Sequence, residues 1–393
     1  MKPIPRAGLI GIGGFGIHHV NALIQLEREN LCRFVAAADP NVPLTPPGAK
    51  HLRIYSDHET MLADNSLDYV VVCSPPAFHL NHVMTVLDHG AFVYLEKPPT
   101  PTYHQLERLL AYPGSDRVIV GFQMLEAPAV QSLKHRLSHG GVGPVRHVCS
   151  SGLWPRPDSY YRRAKWAGKM HCDEFEVFDG PLTNAFAHLL QQIFYILGDE
   201  HSRFARPACV RGWLARARDI DSYDFGWIRG KTTAGTTFEI AVGHCSAQLV
   251  PWQLDVHTTT GRMTMRESDI PPTHSALLLN AHRRAFSALA MEAPPTCALA
   301  DCIGYSEATC SALISSGTIH DIPAHEKNVA TNGNDALIDV PGIVSMVERA
   351  QQLGILTDPL NEWFSPGREV IPKEIHSLQL GEMYSSHETN FAA

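Results

Sequence analysis

Over its first third, the chain alternates short, almost uninterrupted apolar runs with segments of helical period. The runs are "AGLIGIG", "CRFVAAADP", "DYVVVCSPP", "AFVYLEKP" and "DRVIVGFQM". Between them lie helix-like stretches such as "AFHLNHVMTVLDHG" and "TYHQLERLLAY". Runs rich in Val, Ile and Leu without polar alternation mark strands buried on both faces, so the pattern predicts a parallel sheet covered by helices. "EAPAVQSLKHRLSHGGVG" then reads as a helix stopped by glycines, and the period changes after it. "PVRHVCSSGLW", "ACVRGWLARA", "YDFGWIRG", "GTTFEIAVGHC" and "WQLDVHTTTG" have strand composition separated by turn residues, which predicts a largely antiparallel sheet. The expected architecture is an α/β domain over residues 1–123 and an α+β domain over 124–393, with a C-terminal extension from about 331. In that extension "VPGIVSMVERAQQLG" predicts an amphipathic helix begun by proline. "LNEWFSPGREVIP" offers aromatics to the sheet or to a neighbouring subunit, and the last ten or so residues lack apolar periodicity.

Composition narrows the class. A chain of 393 residues that is 44% hydrophobic and 18% charged is globular and long enough for two cores. Its net charge of −8 comes without a long Lys/Arg run, which argues against nucleic acid as a partner. The N-terminus enters a glycine turn before a signal-type apolar region develops, and no stretch approaches ~18 uninterrupted apolar residues. A cytoplasmic protein without a membrane segment is expected. Nine cysteines without a CxxC pair suggest reduced, buried thiols. No metal is expected: His135 with His139, and His79 with His82, lack a completing acid or thiolate set, and Cys297, Cys302 and Cys310 fit faces of an apolar helix.

Candidate chemistry begins at "GIGGFG". Gly11, Gly13 and Gly16 form G-x-G-x-x-G between a strand and a helix, where glycines permit a tight turn and the helix N-terminus offers free N–H groups to phosphates. Asp39 ends the second strand 23 residues after Gly16, the place of an acid that hydrogen-bonds an adenosine ribose. Its charge would repel a 2′-phosphate, and no arginine immediately follows, so NAD is favoured over NADP. Gly14 and Phe15 in the loop, Ser74, Pro75 and His79 after the third apolar run, Glu96 and Lys97 after the fourth, and Gln123 after the fifth complete the expected cofactor crevice. A lysine placed there is expected to be partly desolvated, which suits it to proton transfer or to orienting a hydroxyl, and the spacing alone equally permits a solvated surface lysine.

"GPLTNAFAHLLQQIFYILG" poses a different question. Read as one helix, it places Asn184, His188, Gln191 and Tyr195 on a single stripe. The residues alone permit a solvent stripe, a buried structural histidine or a catalytic face. The loop before it holds Trp154, Arg156, Tyr160, Tyr161, Arg162, Arg163, Trp166 and Lys169. Such aromatics and forked cations suit stacking on sugar rings or clamping a carboxylate, and equally an interface or an ordinary surface loop.

With "GIGGFG", "AADP", "CSPPAFH", "EKP", "GFQM" and "GPLTNAFAH" in order, the chain resembles the glucose-fructose oxidoreductase, inositol dehydrogenase and MocA family over about residues 7 to 330. The resemblance implies a Rossmann domain followed by an open antiparallel sheet whose other face often builds oligomers, hence a dimer or tetramer. It implies hydride exchange between a nicotinamide and a hydroxyl-bearing carbon of a carbohydrate or cyclitol. Lys97 would then orient the hydroxyl, His188 would exchange its proton, Gln123 would lie near the nicotinamide, and Pro98 would set the turn that aims Lys97, through a cis bond in some cases. Tyr160, Arg162, Arg163 and Trp166, with Asn184 and His188, become the expected substrate contacts. Many members have D-x-x-x-H where this chain has N-x-x-x-H, and asparagine at 184 cannot serve as a base. Redox-neutral cleavage or epimerisation of a sugar, and sensing of cofactor or sugar without catalysis, are the alternatives the family also offers.

Overall fold

The computed structural model describes residues 3–41, 51–270, 274–333, 335–357 and 363–377. The chain forms two compact units. Unit one takes Met1–Thr100, Gln105–Ala127 and Pro271–Cys302, so the single boundary expected after residue 123 is crossed again further along.

The strands of unit one are β1 (Arg6–Ile10), β2 (Arg33–Ala38), β3 (Arg53–Tyr55), β4 (Tyr69–Val72), β5 (Phe92–Glu96) and β6 (Val118–Gly121). They form one parallel sheet in the order β3-β2-β1-β4-β5-β6. β4 and β6 are buried along their whole length, as their unbroken apolar sequences require. The helices are α1 (Gly16–Arg28), α2 (His58–Asp64), α3 (His79–Asp88) and α4 (Tyr103–Leu110). Asp57 caps α2 by accepting from Thr60 N at 2.7 Å.

Unit two takes Pro101–His104, with the first two residues of α4, and then α5 (Pro128–His139), β7 (Val145–Leu153), α6 (Asp158–Arg162), the two-residue strands β8 (His171–Cys172) and β9 (Phe175–Glu176), and α7 (Ala187–Leu197). It continues through β10 (Pro207–Arg216), β11 (Phe225–Thr232), β12 (Thr237–Gly243), β13 (Val250–Thr258) and β14 (Arg262–Arg266). The chain then returns to unit one as α8 (His274–Leu289), whose Leu278, Ala281, Ala285 and Phe286 join the core of the parallel sheet. After it come α9 (Ile303–Ser316), β15 (His320–Asp321), the hairpin β16 (Asn328–Asn332) and β17 (Asp335–Asp339), and α10 (Pro341–Leu353).

The large sheet of unit two runs β14-β13-β7-β12-β11-β10-β15. It is mixed: β7 with β12 and β10 with β15 pair in parallel, the rest antiparallel. Strand alternation gives it two faces. Phe238 meets Phe194 of α7 on one, and a Cβ on Gly212 would meet Ala312 of α9 at 2.5 Å, so only glycine lets that helix approach so closely. Trp213, Trp227, Ala241 and Cys149 on the other face pack under Ile343, Met346, Val347 and Ala350 of α10, with Trp363 and Phe364 beyond. The face that the resemblance assigns to oligomer building is therefore covered by this chain's own C-terminal segment. α10 starts with proline and ends at Gly354 in the left-handed region (φ 74°), and the residues after 377 lie outside the described structure. Among the described residues, no helix is long and apolar enough to cross a membrane.

Candidate functional site

Unit one gathers its chemistry at the carboxyl edge of the parallel sheet, where the loops following β1, β2, β4, β5 and β6 emerge. Gly11 and Gly14 take φ of 88° and 54°. A Cβ on Gly11 would lie 2.6 Å from Cys73 O, and one on Gly16 2.1 Å from Gly11 O, so the turn closes only with glycine. Asp39 Oδ2 accepts from Ile12 N at 2.9 Å and Gly13 N at 3.1 Å. The loop amides thus already grip an oxyanion. Phe15 sits at the loop tip, edge-on to His19 at 5.6 Å.

Two further strand ends are tied together by His79. This buried ring lies 2.9 Å from Ser74 O through Nε2 and 2.8 Å from Pro98 O through Nδ1. Burial lowers its pKa, against the opposing effect of the two carbonyls. Ser74 Oγ contacts His82 Nδ1 at 2.9 Å, Pro75 leads into the turn before α3, and Gln123 is buried after β6. Lys97 is half-buried at the end of β5, and the Lys97–Pro98 bond is cis.

Glu96 beside it anchors a buried chain that the sequence did not suggest. Its Oε2 accepts from Lys97 N at 3.1 Å and its Oε1 lies 3.1 Å from His19 Nε2. His19 Nδ1 meets His282 Nε2 at 2.9 Å, and His282 Nδ1 meets the Tyr69 hydroxyl at 2.8 Å. Burial raises the pKa of Tyr69 and lowers that of His282 well below the usual range, the latter helped by His19. One arrangement satisfies every contact: Tyr69 donates to His282, His282 to His19, and His19 to the Glu96 carboxylate. Because His282 arrives on α8, late in the chain, its partnership with "EKP" has no local signal.

In unit two, α7 begins at Ala187, not at the glycine-proline turn. Phe186 N bonds to Pro181 O at 2.8 Å, which winds residues 181–186 into turns and leaves Asn184 outside the helix. The single stripe read from the sequence is thus divided. His188 and Gln191 are buried on the helix, while Tyr195 donates to Gln131 Oε1 at 3.0 Å and faces α5. Asn184 Nδ2 donates to Asp179 Oδ1 at 2.9 Å, and Gly168 N to Asp179 Oδ2 at 2.7 Å. A buried carboxylate therefore stands within hydrogen-bond reach of the position where many family members carry aspartate. The sequence reading passed over Asp179; its one cue is an acid directly before the Gly180-Pro181 turn.

The aromatic loop joins this group. Arg163 lies over Tyr160 at 3.6 Å and over Trp166 at 5.0 Å, and Arg156 lies over Tyr160 at 5.0 Å and Trp154 at 5.7 Å. Trp154 packs on Phe186 at 4.5 Å, and Tyr160 lies 5.6 Å from the buried His244. Of the expected substrate contacts, Tyr160, Arg163 and Trp166 come together here. Arg162 does not join them: its guanidinium pairs with Asp335 at 3.4 Å. Arg156 and His244 are the additions the structure makes.

A third gathering, His147, Cys149 and Glu239 on the α10 face of the sheet, brings potential metal ligands within 4.8 Å. Glu239 already pairs with Arg229 and accepts from Leu356 N at 2.8 Å, and burial pushes the Cys149 thiol up. The trio reads as part of the ion-pair network that anchors the segment after α10.

Residues 5–123 match the model of the GFO_IDH_MocA family, described as an oxidoreductase family with an NAD-binding Rossmann fold. The chain is 24% identical over 277 residues to an inositol 2-dehydrogenase/D-chiro-inositol 3-dehydrogenase of Lacticaseibacillus casei, covering 68% of this chain and 74% of that protein. It is 27% identical over 207 residues to a D-glucoside 3-dehydrogenase of Escherichia coli (strain K12), 49% of this chain and 54% of that protein. Among solved structures, the WlbA dehydrogenase from Bordetella pertussis, in complex with NADH and UDP-GlcNAcA, superposes with a TM-score of 0.69 at 20% identity, over 80% of this chain and 97% of that one. The myo-inositol dehydrogenase from Lactobacillus casei, in complex with NAD(H) and myo-inositol, gives 0.63 at 17% identity, over 84% and 99%. The nucleotide loop and these matches agree: residues 5–123 match the NAD-binding Rossmann domain of the Gfo/Idh/MocA oxidoreductases, and the two-unit fold of the whole chain is similar to that of dehydrogenases such as the myo-inositol enzyme.

Proposed function

We propose that the protein oxidises a secondary hydroxyl of a sugar, glycoside or cyclitol with NAD. The observation that carries this reading is the carboxyl edge of the parallel sheet, where Asp39 with the Ile12 and Gly13 amides ends β1 and β2 and Lys97 ends β5. These groups fit the cofactor. Amides that hold a carboxylate oxygen suit a phosphate oxygen, and the Asp39 carboxylate suits a ribose diol while disfavouring a 2′-phosphate. NAD, when bound, supplies the hydride acceptor.

The chain's own residues do the rest. Lys97 orients the reacting hydroxyl through its ammonium, with its backbone fixed by Glu96. His188 accepts the hydroxyl proton. Asn184 hydrogen-bonds but takes no proton, and the Asp179 carboxylate bonded to it restores an acid to the group. Correct proton transfer is typically worth ~10² to 10⁴ in rate. Lys97→Met and His188→Ala should each lower NADH formation by that order; near-normal turnover in both variants would remove the assignment.

A further inference from the structure

The arginines around the aromatic loop of unit two are of two kinds. Arg162 and Arg218 are neutralised, the first by Asp335 at 3.4 Å, the second by Asp158 at 3.1 Å and Asp224 at 3.0 Å. Arg156 and Arg163 form no ion pair among the described residues. Arg156 Nε is moreover buried without a hydrogen-bond partner. The acids of this neighbourhood are engaged elsewhere: Asp179 with Asn184 and Gly168, Asp158 with Arg218. Lys165 and Lys169 on the same loop are exposed and add positive charge.

Burial and the neighbouring guanidiniums act together on His244. The pKa of His244 is pushed down to about 3, first by burial and then by Arg156, with Arg218 and Arg163 contributing. A donor left unsatisfied in a dry aromatic setting is unfavourable, and native proteins retain few of them. A guanidinium fork meets a carboxylate or phosphate in two parallel hydrogen bonds, while flat faces such as Tyr160 and Trp166 suit the apolar side of a sugar ring. The two guanidiniums without an ion pair lie 5.0 and 3.6 Å from the Tyr160 ring centre, and Arg163 Nη1 also donates to Tyr160 O at 2.6 Å.

We propose that the substrate is a sugar or cyclitol bearing an acidic oxyanion, carboxylate or phosphate, and that Arg156 and Arg163 bind that oxyanion beside Tyr160. This rests on the dehydrogenase reading above and narrows its substrate class.

The test uses the full chain with NAD present. D-glucuronate, D-galacturonate and the corresponding hexose 6-phosphates are titrated by calorimetry against the neutral hexoses, and NADH is recorded in parallel. At least one acidic sugar should bind about 10- to 100-fold more tightly than its neutral parent, the range of charge-assisted hydrogen bonds. Whether uronate or phosphate shows the gain identifies the oxyanion. Arg156→Gln and Arg163→Gln should each shrink that ratio towards one, whereas Arg162→Gln should retain it. Arg163 is exposed, so its variant keeps the test valid if Arg156→Gln misfolds. Acidic sugars binding no better than neutral ones, or a preference surviving both variants, would overturn the site. Selective binding of an acid with no NADH from any sugar would instead remove the dehydrogenase reading and leave the oxyanion site standing.

Discussion

The two units prepare for a ligand in opposite ways. Unit one works through its backbone: glycines that admit no Cβ, amides that hold Asp39, and strand ends tied by His79 and by the Glu96–His19–His282–Tyr69 chain. Unit two works through side chains, with buried charges balanced or left unbalanced around Asp179, Tyr160 and His244. A backbone cradle fits the same phosphates in many proteins, whereas a side-chain cluster specifies one ligand. On the proposed reading, unit one as the cofactor half is accordingly general and unit two as the substrate half particular.

The largest effect that would break this contrast lies in unit two. Asp224 is fully buried and holds Arg218 at 3.0 Å and Ala217 N at 2.7 Å. Removing one partner of a buried pair is typically a loss of ~3–5 kcal/mol; Arg218 keeps Asp158 at 3.1 Å, so the lower end of that range is expected. Urea unfolding of Asp224→Ala should show a loss of this size; a loss below ~1 kcal/mol would mean that the charges there carry little of the architecture.

Next comes the single side chain on which the backbone cradle depends. Asp39→Ala removes the acceptor of two loop amides and the expected ribose contact. Hydrogen bonds to a charged group are worth ~1.5–3 kcal/mol, so NAD affinity should fall about 10- to 100-fold and the preference over NADP should shrink. Fluorescence titration with both dinucleotides reads both quantities.

The smallest effect, counted per pH unit, is on pH dependence. His244 has a native pKa of about 3 against an ordinary 6.5. Between those values the unfolded chain binds a proton that the native ring does not, so stability rises with pH across the window and is lost as pH falls through it. The slope from this residue is at most ~1.4 kcal/mol per pH unit. Thermal unfolding between pH 4 and 7 should be flatter in His244→Gln than in the wild type.

The same contrast explains what the sequence disclosed. In unit one, "YVVV", the glycine spacing and Asp39 are local demands of a parallel sheet and a tight turn, so they are visible in consecutive residues. The return of α8 is not, because what places Phe286 against Tyr69, ring centres 4.4 Å apart, is packing across more than two hundred residues of chain. In unit two the helical period of residues 180–198 was real only from Ala187 onward. Gly180 and Pro181 begin turns instead, and it is those turns that bring Asn184 to Asp179. The choice among Arg156, Arg162 and Arg163 depends on which acid each one meets, and Asp335 lies far along the chain. The proline-begun helix α10 was legible; that it covers the sheet was not, since a moderately amphipathic helix does not name its partner.

The most direct measurement mixes purified protein with NAD and a panel of sugars, cyclitols, aryl glycosides and their acidic counterparts, recording NADH absorbance and released aglycone together. The account predicts NADH in step with oxidised sugar, greatest for an acidic member of the panel, and no aglycone. Aglycone released without NADH, or bound cofactor whose redox state never changes, would contradict it.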